Sequence, residues 1–241
     1  METLTKERRS IDDISGYYVE DGIIYPESDG ELMADNTEQF DWIVKIKENL
    51  ESMYKKDPLV FVAGDLLWYP VKGDNQTRRA PDAMVVFGRP KGRRGSYLTW
   101  KEEGINPQIV FAILSPNNTR SEMLDKLDFY DTYEVEEYYM YDPDEIVLKG
   151  WIRMGTHLVP IENMNGWVSP RLEIRFDMSG EKLEIFTPDG QRFLSPVELS
   201  RQSELYRQRA EKERHRAEKE RQRAERLAAV LKKMGIEPDE I

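Results

Sequence analysis

Asp82 follows Pro81 and opens the apolar run Ala83 to Phe87. A second run, Ile109 to Leu114, lies between Pro107 and Pro116 and carries Ala112 at its centre; Lys126 comes later, in a segment of helical spacing. A carboxylate at the start of one strand, a second in the next strand and a lysine nearby would suit hydrolysis of phosphodiesters with a divalent cation. Two carboxylates fix the ion, the ion clamps the phosphate and lowers the pKa of a bound water, and the lysine orients that water or offsets developing charge. Here the middle element is an alanine, whose methyl cannot bind a cation. That position separates a working catalyst from a silent binder. On residue types alone the blander reading prevails, because a Pro-Asp pair commonly makes a turn and a single helical lysine is commonly solvated.

The elements that must position these residues follow from periodicity. Behind the cap candidates Asp35-Asn36-Thr37, the residues Phe40, Ile43, Val44, Leu50, Met53 and Tyr54 recur near helical spacing, which predicts a helix to about Lys55. Leu59 to Ala63 and Leu66 to Val71 read as strands around Gly64-Asp65, and Ala83 to Phe87 as a third strand. The loop Gly88 to Gly95, with three glycines and four basic residues, reads as flexible and locally basic. Ile109 to Leu114 is the best candidate for a central strand buried on both faces. Thr119 to Glu134 places Met123, Leu124, Leu127, Tyr130 and Tyr133 at helical spacing, and Glu137 to Tyr141 returns to strand. From Glu145 to Thr187, short apolar runs between turn residues suggest an antiparallel extension of the sheet.

With 241 residues, 39% of them hydrophobic, the chain can hold one domain plus an extension. It has no cysteine, which excludes disulfides, thiolate metal sites and a cysteine nucleophile. No apolar run is long enough to span a bilayer and the first residues lack a signal-peptide core, so a soluble, cytoplasmic protein without membrane contact is expected. The net charge of −11 argues against a diffuse grip on nucleic acid. Residues 201 to 233, however, hold 12 Lys/Arg against 6 Glu, leaving a basic tail on an acidic body.

That tail, about Pro196 to Gly235, reads as a charged helix with Ala210, Ala217, Ala224 and Leu231 seven apart. Glu211 with Arg214 and Glu218 with Arg221 are i,i+3 pairs of opposite sign. Three positions beyond the alanines stand Glu213, Glu220 and Leu227, so a coiled-coil seam forms only at the end. A solvated helix and a dimerisation helix remain level readings. The two histidines, His157 and His215, lack ligand spacing, and no Walker loop is present.

Gly64-Asp65-Leu66-Leu67-Trp68-Tyr69-Pro70, Ala80-Pro81-Asp82, Gly95-Ser96-Tyr97, Trp100, the run Ile109 to Pro116, Lys126, Tyr130, Glu137-Tyr138, Tyr141-Asp142-Pro143 and Trp167-Val168-Ser169-Pro170 stand in one order. Together they resemble the Uma-type restriction endonuclease family, whose core is PD-(D/E)XK nuclease-like, over roughly residues 35 to 200. The resemblance implies a mixed α/β fold: a restriction-endonuclease-like core with a central mixed sheet flanked by helices, an antiparallel extension and a long charged C-terminal helix. It divides the chain into an N-terminal arm (1–34), the nuclease-like domain (35–200) and the tail helix (201–241).

By the same resemblance Asp82 matches the metal-binding aspartate. Ala112 stands where members carry a second metal-binding glutamate, and Lys126 matches the family's displaced lysine. Glu48 or Asp65 could add a further acid, Mg²⁺ or Mn²⁺ is the implied cofactor and DNA the implied substrate. Arg89, Lys91, Arg93 and Arg94 are candidates for touching the phosphate backbone. The expected parent activity is Mg²⁺-dependent DNA endonuclease, inactive as written because of Ala112. The alternatives are a non-catalytic nucleic-acid-binding or regulatory subunit, or an assembly protein acting through its tail helix. A homodimer or higher oligomer, or a protein partner on that helix, would fit either.

Overall fold

The computed structural model describes residues 16–30 and 33–233. It divides into two units, residues 1–193 and 194–241. In the first, six strands form a mixed sheet. β3 (Val60–Ala63) is followed by β5 (Ala83–Phe87), β7 (Ile109–Ile113), β8 (Glu137–Asp142), β9 (Val147–Met154) and β10 (His157–Pro160). All neighbours are antiparallel except β7 and β8, which run parallel. A parallel pair cannot be joined by a tight turn, so the chain crosses over through a helix, α2 (Arg120–Thr132).

Alternation along the strands sends side chains to two faces. Val60, Val62, Ala83, Val85, Ile109, Phe111 and Ile113 meet Trp42, Ile43, Ile46 and Leu50 of α1 (Thr37–Met53). On the other face Phe61, Met84, Val86, Val110, Ala112 and Tyr138 meet Phe129 and Tyr130 of α2. β7 is buried along its whole length, as its unbroken apolar run predicts. α1 begins where its cap candidates predict. Asn36 accepts the Gln39 N–H, while Thr119 and Glu122 close a reciprocal capping box.

Several expectations need correction. Phe40 is exposed on α1, and Gln39, Trp42 and Ile46 take inward places instead. The predicted strand Leu66 to Val71 shrinks to β4 (Trp68–Tyr69), which pairs with β6 (Tyr97–Leu98) in a separate small sheet. Only β9 and β10 extend the main sheet; β11 (Arg175–Asp177) and β12 (Glu184–Phe186) pair with each other. The described part of the N-terminal arm is a hairpin, β1 (Tyr17–Glu20) and β2 (Ile23–Pro26). It is anchored because Tyr25 packs into a cluster with Leu67, Tyr69 and Leu98.

The second unit is α3 (Pro196–Lys233). Ser195 and Glu198 form its capping box around Pro196, which lacks the N–H that a first helical position leaves unused. The predicted i,i+3 pairs give way to Arg216 with Glu220 at 3.2 Å and Arg221 with Glu225 at 3.0 Å, both i,i+4. Leu205, Tyr206 and Leu227 stand exposed. No described helix is long and apolar enough to cross a membrane.

Candidate active site

β5 and β7 are in register at Ala83 and Phe111, so the next pair outward sets Asp82 beside Ala112. Alternation puts both on the α2 face, since Ala83 belongs to the α1 side and Met84 to the other. The Ile113 N–H donates to Asp82 Oδ2 at 2.6 Å, which pins the carboxylate at the mouth of β7. The local chain is held as well. Asp65 N–H donates to the Pro81 carbonyl, and Trp68 and Arg79 exchange backbone hydrogen bonds.

Asp82 opens on a cavity of about 610 Å³, lined also by Asp35, Gln39, Asp65, Arg78, Arg79 and Lys126. Burial raises its carboxyl to about pH 6 against the opposing pull of the Lys126 ammonium and the Ile113 N–H; Asp65 adds a smaller push upward. Lys126, on α2, makes no ion pair among the described residues and acts on Asp82 through space. The structure therefore brings Asp82 and Lys126 to one cavity. Ala112 is 2% exposed and packs with the apolar α2 face rather than on the cavity wall.

Near that position lies an unsatisfied group. The Tyr138 hydroxyl is buried without a hydrogen-bond partner among the described residues, and the Asp82 charge reaches it. Burial first, then Asp82, pushes the phenol well above its ordinary range.

Of the two further acids, Asp65 reaches the cavity and Glu48 does not. Asp65 holds a left-handed φ of 48°, and its carboxyl is raised by burial and then by Asp29. Glu48 is exposed and paired with Lys47 at 2.9 Å. α1 contributes Gln39 instead, whose Nε2 donates to the Ile113 carbonyl at 2.8 Å and whose Oε1 accepts the Asp35 N–H. Asp35 in turn accepts the Ser115 hydroxyl at 2.5 Å. Gln39, Asp35 and Ser115 escaped sequence reasoning because Gln39 bonds a carbonyl 74 positions away and Asp35 meets Ser115 across 80.

The basic loop is also corrected. Arg89 pairs with Glu102 and Glu103, Arg94 with Glu102 while stacking over Phe61, and Lys91 with Glu51. Three of its four charges are thus neutralised within the chain, and only exposed Arg93 makes no ion pair among the described residues. Of the histidines, His157 meets Asp131 at 2.9 Å and His215 is exposed.

A cation held by two facing carboxylates does not fit this chain as it stands. The register gives Asp82 a methyl for a neighbour, and no group of three or more His, Cys, Asp or Glu able to hold an ion occurs among the described residues.

Comparison with known families matches residues 17–210 to the model of Uma2, described as "Putative restriction endonuclease". The chain belongs to the Uma2 family. The Uma2 match takes in the hairpin of β1 and β2 and the first turns of α3, so it extends beyond the 35–200 span expected from motifs. Among solved structures, "a putative nuclease belonging to DUF820 from Anabaena variabilis ATCC 29413" is 14% identical, with a TM-score of 0.39, over 64% of this chain and 79% of that one. Among the curated proteins compared, none matches.

Proposed function

We propose that this Uma2 member is a DNA phosphodiester endonuclease by descent whose divalent-cation site is interrupted at position 112, so that it engages nucleic acid without cutting at an appreciable rate. The observation that carries this is the convergence of Asp82 and Lys126 on one cavity, with Ala112 registered beside Asp82. In the intact arrangement Mg²⁺ or Mn²⁺ would supply the activated water. The chain's own part is to hold the Asp82 carboxylate through the Ile113 N–H and to offer the Lys126 ammonium to charge developing on phosphate. Loss of one charged ligand misplaces the nucleophile, a penalty of order 10²-fold or more.

The test is Ala112→Glu, assayed on plasmid and single-stranded DNA with Mg²⁺ or Mn²⁺. Cutting should rise by about 10²-fold or more over the unaltered chain. A folded but inert variant would support the second reading, a nucleic-acid-binding or regulatory subunit. That reading draws on the sealed apolar packing around Ala112.

A further inference from the structure

The cations of this unit fall into two kinds by what holds them. Arg89, Arg94 and Lys91 are held by carboxylates, so their charge is spent inside the chain. Arg78 and Arg79 are held by neutral groups. Arg78 Nη1 donates to the Asn75 carbonyl at 2.5 Å, with the guanidinium 6.0 Å from the Tyr69 ring centre. Arg79 Nη1 donates to the Arg78 carbonyl at 2.9 Å, with its guanidinium 5.4 Å from the Phe129 ring centre. Neither has a carboxylate partner in an ion pair among the described residues, both are partly buried, and both line the cavity of Asp82.

A guanidinium tied by a carbonyl and an aromatic face loses rotamer freedom yet keeps its full charge and most of its five N–H donors. Such a side chain is prepared for an incoming oxyanion. Five carboxylates line the cavity too, Asp29, Asp35, Asp65, Asp82 and Glu122, against three cations, so the site as a whole is not basic and any hold on phosphate falls to these arginines and Lys126. Arg79 lies three residues before Asp82 on a segment fixed by the Trp68 and Pro81 backbone bonds. Their Cα atoms are therefore within about 10 Å, a span of neighbouring phosphates on one strand.

We infer that Arg78 and Arg79 form the phosphate grip of the site, binding the nucleic-acid backbone within a nucleotide or two of Asp82. This rests on the nucleic-acid reading above. It shifts the backbone contact from the Gly88 to Gly95 loop to the segment that leads into β5.

The test is fluorescence anisotropy with a labelled oligonucleotide, single-stranded and duplex, in Ca²⁺, between about 50 and 200 mM salt. Arg78→Ala/Arg79→Ala should bind roughly tenfold or more weakly and lower the salt slope by about 1.5 to 2, as expected for two lost phosphate contacts. Lys55→Ala/Lys149→Ala removes the same charge from exposed positions outside the cavity and should bind as the natural chain does. Equal affinity and slope for the arginine pair and this control, with the natural chain binding, would overturn the grip and leave the nucleic-acid reading standing. No binding of either oligonucleotide by the natural chain would overturn both. If the alanine pair melts early, Arg78→Lys/Arg79→Lys decides. Severalfold weaker binding at unchanged slope supports the fork, and natural affinity overturns it.

Discussion

Tyr138→Phe should stabilise the chain, although it deletes a polar atom from the core. The ring sits 4.8 Å from Tyr130 and stacks on Trp151 at 5.0 Å, and phenylalanine keeps both contacts. What goes is a hydroxyl with no acceptor among the described residues. Stranding such a group costs about 1 to 3 kcal/mol, so its removal should return about 1 kcal/mol, or roughly 2 to 4 °C in melting temperature at this size. Tyr139→Phe, one residue on, provides the contrast. That hydroxyl donates to Glu137 at 2.7 Å and accepts the Trp167 Nε1–H at 3.1 Å, so its loss should destabilise by about 1.5 to 3 kcal/mol. In an Ala112→Glu background the sign at 138 should reverse, because a carboxylate on the same face brings the hydroxyl an acceptor. Urea and thermal unfolding of the three single variants and the double mutant provide the measurement. A lower melting temperature for Tyr138→Phe in the natural background would refute the reasoning.

Two further outcomes follow from the charges. Asp82 is raised to about 6 in the folded state from an ordinary value of 3.8, so the native chain holds that proton more tightly than the unfolded one. Its contribution to stability is therefore full below about pH 4 and declines as pH rises to 6, by up to about 3 kcal/mol. Asp82→Asn, which keeps an acceptor for the Ile113 N–H, should flatten that decline in urea titrations at pH 4, 5, 6 and 7; an unchanged slope would count against the burial of the carboxylate. Glu102→Gln should cost about 3 kcal/mol, because it leaves Arg89 and Arg94 facing each other across a neutral side chain in a largely buried site. A loss of less than about 1 kcal/mol by chemical denaturation would mean that the trio is solvated.

Sequence determined much of the frame by itself. Local rules suffice where a signal lies within a few residues. The cap at Asn36, the unbroken run of β7 and the Pro81-Asp82 entry to β5 all appear where residue type and spacing put them. The neighbour relation of Asp82 and Ala112 was legible too, because sequential strands commonly pair and a period of two assigns their face. Tertiary structure decided which charges remain available. Arg89, Arg94 and Lys91 look free in a glycine-rich loop until Glu102, Glu103 and Glu51 arrive from other elements, whereas Arg78 and Arg79 look like part of a turn until the cavity forms around them. Gln39 replaced Glu48 at the site for a similar reason. Helical spacing ranks residues by face, but only the packing of α1 on β7 determines which one meets the Ile113 carbonyl. Charge and hydrogen-bond pairing depend on what stands opposite in space, and that partner is set by the fold rather than by neighbours along the chain.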